Sequence, residues 1–278
     1  MPQKPLRIAS VNVNGIRAAY RKGMGDWLEG RGIDILAIQE VRAQTEDVEG
    51  LLGPDWNILH DAATAKGRAG VALASRDRAN IHRVAFGADD FDSAGRWLEA
   101  DYEWGDRIVT VVSTYVHSGE DGTPKQVEKY KFLDAMVEHL PTLQAHNPYS
   151  VVMGDLNVGH RKLDIKNWRG NQKKAGFLPA ERAYFDRFVG AEDDPAYNDG
   201  AGFGWVDLGR RFAGEVEGPY TWWSQRGRAF DTDTGWRIDY QLAAPALAAT
   251  AVSYTIDRAA SHEERWSDHA PVVVDYAL

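Results

Sequence analysis

Acidic side chains and one imidazole stand where apolar runs of this sequence stop. The run 6–13 carries Asn12-Val13-Asn14-Gly15 at its end, and the run 34–38 leads into Gln39-Glu40. The run 107–116 closes on Tyr115-Val116-His117-Ser118, and 150–153 leads into Gly154-Asp155-Leu156-Asn157. Asp239 lies inside the run 236–242, and Asp268-His269 precedes the last run, 271–276. Carboxylates and imidazole are the groups of acid–base chemistry. In α/β architectures, polar groups at strand ends line the ligand crevice. Glu40, Asp155, Asp239, Asp268 and His269 therefore converge if these runs are neighbouring strands. Each has a plainer alternative: an exposed Glu after a strand, an Asx-turn or cap for Asp155, a surface pair for Asp268-His269. Taken together, that account needs five separate coincidences. Other chemistries are excluded. The absence of Cys removes thiolate nucleophiles, Cys-ligated zinc and iron–sulfur clusters. No Walker A, G-x-G-x-x-G, G-x-S-x-G or H-E-x-x-H pattern occurs.

The elements that must hold these residues alternate along the chain. Strand patterns fall at 6–13, 34–38, 70–75, 97–102, 107–116, 150–153, 236–242 and 271–276. Helical patterns fall at 24–31 and at 126–139, the latter after Pro124. No linker divides them, so a single α/β domain over 1–278 is expected. The stretches 159–180 and 190–204 read as long surface loops, which in compact domains are usually functional. With 44% hydrophobic residues, the 278-residue chain has the material for a large core. No apolar stretch suits a secretory leader, and the longest weakly polar run, 242–252, is well short of the ~20 residues that span a bilayer. A soluble cytoplasmic protein with no membrane role is expected. The net charge of −9 runs against nucleic-acid binding by the whole surface. The run 161–174 is locally different. It holds Arg161, Lys162, Lys166, Arg169, Lys173 and Lys174 against Asp164, with Trp168 among them.

These residues resemble the exonuclease III / apurinic–apyrimidinic endonuclease family, within the endonuclease/exonuclease/phosphatase superfamily. The resemblance runs in order through SVNVNGIRA (10–18), IQE (38–40), STYVHSG (113–119), GDLNVGHRKLDIKN (154–167), AGFLPAERAYFDR (175–187), YTWWSQR (220–226), GWRIDY (235–240) and SDHAP (267–271). IQE, GDLN and SDH belong to the whole superfamily, whereas RIDY, AGFLPAER and YTWWS are more specific to its DNA-repair branch. The resemblance implies a four-layer α/β sandwich, two packed mixed β-sheets flanked by helices. It also implies hydrolysis of DNA phosphodiesters 5′ to abasic sites, with 3′-to-5′ exonuclease and 3′-end-trimming activity.

The chemistry so implied needs a hard divalent cation, Mg²⁺ with Mn²⁺ as a substitute. Its contacts fall to Asn12, Glu40, Asp155, Asn157, Asp268 and His269, with Glu40 the best single ligand. Asp155 is the general base in this picture, although His269 could also take the water's proton. Asn157 donates to the developing oxyanion and Tyr115 to the phosphate or leaving group. Asp239 orients His269. Trp222, Trp236 and Ile238 match the pocket for a flipped-out abasic sugar. Arg17, Ser118, Lys173 and Lys174 are assigned to the phosphates, and Asn14 to substrate binding. Two departures stand out: Asn14 replaces an Asp of some members, and His117-Ser118 replaces a Pro-Asn pair. The implied partner is double-stranded DNA, above all abasic-site DNA, bound by a monomer. The competing readings are a phosphoesterase of the same superfamily on a non-DNA substrate and a catalytically silent DNA-binding module.

Overall fold

A computed structural model describes residues 4–65, 67–84, 86, 91 and 94–278. In chain order its elements are β1 (Leu6–Asn12), α1 (Ile16–Arg21), α2 (Met24–Arg31), β2 (Ile35–Gln39), α3 (Thr45–Leu52), β3 (Asn57–Asp61), β4 (Val71–Ser75), β5 (Ile81–Val84), β6 (Trp97–Trp104), β7 (Arg107–Tyr115), α4 (Pro124–His146), β8 (Ser150–Asp155), α5 (Trp168–Asn171), α6 (Pro179–Val189), β9 (Val206–Asp207), α7 (Leu208–Ala213), β10 (Asp239–Ala243), α8 (Pro245–Ala248), β11 (Ala251–Ile256) and β12 (Val272–Tyr276). Among the described residues the strands form two six-stranded sheets, ordered β11-β12-β1-β2-β4-β3 and β5-β6-β7-β8-β10-β9. Both are mixed: β1–β2 and β7–β8 are parallel and the other pairs antiparallel.

Successive side chains of a strand point to opposite faces, and the central strands are apolar on both. In β1, Leu6 and Ile8 enter the core between the sheets, while Ala9 and Val11 face outward. β2 divides the same way, Ile35 and Ala37 inward, Leu36 and Ile38 outward. The outward face of the first sheet is covered through Ile16, Leu28 and Val48 of α1, α2 and α3. That of the second is covered through Phe132, Leu133 and Met136 of α4 and Phe185 and Phe188 of α6. The result is the helix–sheet–sheet–helix sandwich that the resemblance implies.

Local departures from the sequence reading have physical causes. The sheet strand of the 236–242 run, β10, begins only at Asp239. Before it, Trp236 bridges to Ile165 and Trp222, and the Arg237 N–H donates to the Asp164 carbonyl. The helix expected at 126–139 runs from Pro124 to His146, passing through Pro141 to bury Leu143. The stretch 159–180 is not a continuous loop. It holds a 3₁₀ turn, Lys162–Asp164, then α5 and the start of α6, where Pro179 occupies the first turn and Glu181 accepts from the Leu178 N–H.

Candidate active site

Strand register brings the predicted residues together. On β7, β8 and β10, Tyr115 pairs with Asp155 and Asp155 with Asp239, so three candidates sit side by side across one sheet. On the other sheet Asn12 pairs with Gln39, and Glu40 follows directly. His269 reaches the same place through a bridge to Trp222, three residues before β12. Next to Tyr115 and Asp155, the paired strands β7 and β8 approach so closely that a Cβ on Gly154, at φ 144°, would lie 1.9 Å from the Thr114 carbonyl oxygen. Only glycine allows that contact. Four non-glycine residues here, Asn14, Glu40, Arg42 and Asn157, hold φ between 47° and 51°. Such left-handed backbone costs energy and is found where surrounding structure enforces it, often at functional sites.

These residues open onto a cleft of about 340 Å³. Asn14, Glu40, Tyr115, Ser118, Asp155, Asn157, Trp222, Trp236, Ile238, Asp268 and His269 line it. Asn12 and Asp239 lie just behind, fully buried. Asn12 braces two carboxylates: its Nδ2 donates to Glu40 Oε1 at 3.0 Å and Asp155 Oδ2 at 2.9 Å, while its Oδ1 accepts from the Asn14 N–H. Asn157 donates its backbone N–H to Asp155 Oδ1 at 2.9 Å. Its Nδ2 donates to Asp155 Oδ2 and to the Val116 carbonyl. Both amide hydrogens expected to face an oxyanion are thus engaged within the protein. His269 Nδ1 donates to Asp239 Oδ2 at 2.9 Å and leaves Nε2 3.7 Å from Asp155 Oδ2. Asp268 accepts from Asn14 Nδ2 at 2.9 Å and Trp222 Nε1 at 3.2 Å.

The burial of so many charges shifts their protonation. Burial alone would lower the His269 imidazole, but the Asp239 and Asp155 carboxylates outweigh it and raise it to about 10. Burial pushes the Asp155 carboxyl upward against the pull of the imidazolium, and Asp239 and Glu40 add to the push. The Tyr115 phenol is held protonated by burial and by the nearby Glu40 and Asp155. Asp268 is lowered although burial opposes it, because His269, Asn14 and Trp222 stabilise its charge. The apolar wall is Trp222 against Trp236, centroids 6.1 Å apart and nearly perpendicular. Trp236 is seated on Gly176, where an added Cβ would lie 2.9 Å from the ring.

The site fits a divalent cation. Glu40 and Asp155 are carboxylates drawn to one amide at the cleft wall, a like-charged pair of hard oxygens that a cation relieves. Asp155, Asp239 and His269 also have ligand atoms within 4.8 Å of one another. There, however, Asp239 and His269 Nδ1 are spent on each other, so Glu40 and Asp155 are the better pair.

Other predicted residues lie elsewhere. Arg17 pairs with Asp47 at 3.1 Å, away from the cleft. Lys173 and Lys174 are exposed beyond α5 and do not line it. The run 161–174 is only partly a solvent-facing surface. Arg161 is buried and forks onto Glu215 at 2.6 and 2.7 Å, and Lys166 pairs with Glu217. Lys162 and Arg169 lie over the Trp168 ring. Asp164 is buried between Arg210 and Arg237. Sequence reasoning missed Arg42, which contacts Glu40 closely, and the buried pair Lys129–Glu181 at 2.6 Å. Lys129 Nζ donates to the Asn157 carbonyl at 2.8 Å, and Glu181 accepts from the Gly176 and Leu178 N–H groups. The signal for Lys129 was its place on the apolar stripe of α4 with Leu133, Met136 and Leu140.

Two mixed sheets packed face to face, with an acidic cluster and one imidazole where their strand ends meet, define an α/β-sandwich with a site of hydrolase type. The chain belongs to the Endonuclease/Exonuclease/phosphatase family, which it matches over residues 9–269. It is 31% identical to the exodeoxyribonuclease of Bacillus subtilis (strain 168), over 96% of this chain and 98% of that protein. It is 29% identical to the DNA-(apurinic or apyrimidinic site) endonuclease of Dictyostelium discoideum, over 98% of this chain and 72% of that one. Among solved structures it superposes on the 3′ phosphatase NExo from Neisseria bound to product DNA hairpin, with a TM-score of 0.83 at 25% identity, covering 98% and 99% of the two chains. No helix among the described residues is long and apolar enough to cross a membrane.

Proposed function

We propose that this protein is a Mg²⁺-dependent DNA-repair phosphodiesterase that incises duplex DNA 5′ to abasic sites and trims 3′ ends. The observation that carries the reading is the joining of two unlike surfaces in one cleft. Tyr115, Asp155, Asn157 and His269 stand beside Glu40, and across from them Trp222, Trp236 and Ile238 form an aromatic and aliphatic wall. The first surface suits a phosphate. The second suits a sugar that has lost its base and can be turned out of the helix, which an intact nucleotide would overfill. The exodeoxyribonuclease, endonuclease and 3′ phosphatase relatives support this pairing of activities.

Glu40 and Asp155 would hold the cation, which when bound neutralises charge on the phosphate oxygens. Asp155 accepts the proton of the attacking water. An imidazole flanked by Asp239 on one nitrogen and Asp155 on the other is poised to donate, so His269 hydrogen-bonds a phosphate oxygen through Nε2. Tyr115 keeps its proton and donates to the phosphate or the leaving oxygen. Asn12 and Asn157 hold Asp155 in place. The test is a duplex with a single abasic analogue, incubated with Mg²⁺ and then with chelator. Cleavage on the 5′ side in Mg²⁺, its loss in chelator, and a ~10²–10⁴-fold fall in kcat for Asp155→Asn are expected. Full cleavage in chelator, or a near wild-type rate for Asp155→Asn, overturns the reading.

A further inference from the structure

Thr221 carries no charge and is fully buried behind the cleft wall, yet several backbone segments of the site meet at it. β9 pairs with β10 only at Leu242 and Ala243. At the other end of β10, the N–H groups of Ile238 and Asp239 both turn to Thr221 Oγ1, each at 3.1 Å. Successive N–H groups of a regular strand point to opposite sides, so two on one oxygen mark a local break in the ladder. The hydroxyl hydrogen is directed at the Trp236 carbonyl, at the longer distance of 3.4 Å. A hydroxyl offers one donor and two acceptor positions, and here all three are engaged. The Thr221 N–H donates to the same Trp236 carbonyl at 2.9 Å, and the Thr221 carbonyl accepts the Ala270 N–H at 2.7 Å, beside His269.

The peptide unit between Ile238 and Asp239 serves both surfaces of the site. Ile238, with Trp236, forms part of the cleft wall. Asp239 holds His269 Nδ1 at 2.9 Å, and the Ile238 carbonyl accepts the Leu156 N–H at 2.9 Å, next to Asp155. The His269 N–H is held separately, by Ser267 Oγ at 3.2 Å, so the Thr221 hydroxyl bears on the Asp239 side of that pair. A buried N–H that loses its acceptor is costly and draws the backbone toward another acceptor or water. Loss of the hydroxyl therefore moves the wall and the partner of the imidazole together. A misplacement of about 1 Å can cost ~10²-fold in turnover. A hydroxyl needed for the fold alone would lower stability and leave both surfaces as they are in the molecules that stay folded.

We propose that Thr221 is a positioning residue whose hydroxyl sets the sugar-facing wall and the Asp239–His269 pair in one rigid arrangement. The proposal rests on the nuclease reading and adds to it the group that ties recognition to turnover. The test compares Thr221→Val, which keeps the branched shape and loses the hydroxyl, with Thr221→Ser, which keeps the hydroxyl. Both are measured beside the wild type, well below their melting temperatures. Binding of an abasic-analogue duplex and of an intact duplex is measured in chelator, and kcat and KM on the abasic duplex in Mg²⁺. Thr221→Val is expected to shrink the binding preference for the abasic duplex about tenfold and to lower kcat ~10–10²-fold. Thr221→Ser should restore both. Loss of only one of the two in Thr221→Val, or a Thr221→Ser as impaired as Thr221→Val, overturns the proposal.

Two further arms keep the test decisive. Should Thr221→Val not fold, Thr221→Ala removes the hydroxyl without crowding its place and is expected to show the same joint loss; wild-type preference and turnover in Thr221→Ala overturn the proposal. Denaturant unfolding of each variant is followed in parallel. Destabilisation with unchanged preference and kcat would make Thr221 a residue of the fold alone and overturn its positioning role. Cleavage and abasic preference of the wild type are scored first. Their absence overturns the nuclease reading and this role with it, whereas their presence, matched by Thr221→Val, overturns the role of Thr221 and leaves the nuclease reading standing.

Discussion

His269 is raised because two carboxylates face it, and the Asp239 carboxylate holds its Nδ1–H directly. Asp239→Asn removes one of those charges and lets burial weigh more, so the imidazole should lose its proton at lower pH. The basic limb of the kcat–pH profile is expected to move toward neutrality, with a smaller loss at pH 7 than His269→Ala. A basic limb that stays in place would show that His269 is not the donor. The linkage has the same sign in stability. A base raised in the folded state stabilises it below its ordinary pKa of ~6.5 and loses that contribution as pH rises through about 10. Glu40, Asp155, Asp239, Asp268 and His269 were legible in the sequence because each breaks an apolar run. The duties of Asn12 and Asn157 were not, since an amide presents a donor and an acceptor and only the folded neighbours decide which is used.

Register decides whether the site exists, because a one-residue slip of β8 would turn Asp155 to the opposite face. The pair Lys129–Glu181 holds the segments that follow, joining α4 and α6 to the Asn157 carbonyl and the Gly176 N–H. Lys129→Met leaves a buried carboxylate unpaired and should cost about 3–5 kcal/mol, whereas Lys129→Met with Glu181→Met should be nearly neutral. Denaturant unfolding of the three proteins checks this, and a single variant as stable as the double one would refute it. Strands buried on both faces, such as β1, β2 and β8, stood out as apolar runs. β3, half-buried throughout, and β5, mostly exposed at a sheet edge, carry no such pattern. α6 was hidden for the opposite reason: a fully buried Glu181 in its first turn reads as a surface residue until its partner is known.

Across the whole molecule, a net charge of −9 must be reconciled with a polyanionic partner. If Lys173 and Lys174 both touch phosphate, changing them to Gln should flatten the slope of log affinity against log salt by roughly 2, equally for every DNA sequence. An unchanged slope would leave them a solvated surface. Acid should destabilise the fold. The Asp275 carboxyl is lowered by its bond to Arg7 and that of Asp164 by Arg237 and Arg210, despite its burial. Depressed acids stabilise above their ordinary pKa, so the melting temperature should fall as pH drops below about 4. The layered fold followed from the resemblance more than from composition, because distant pairings such as β1 with β12 leave no local trace. That pairing bears on how the protein is made. β12 lies between β11 and β1, so the strand holding Asn12 cannot be completed until the final strand leaves the ribosome. At about 5–20 residues per second, roughly a quarter of a minute to most of a minute separates the synthesis of Asn12 from that of His269. Throughout that interval the nascent chain carries an unpaired β1 edge exposed to chaperones and to mispairing, and it has no means of cutting DNA.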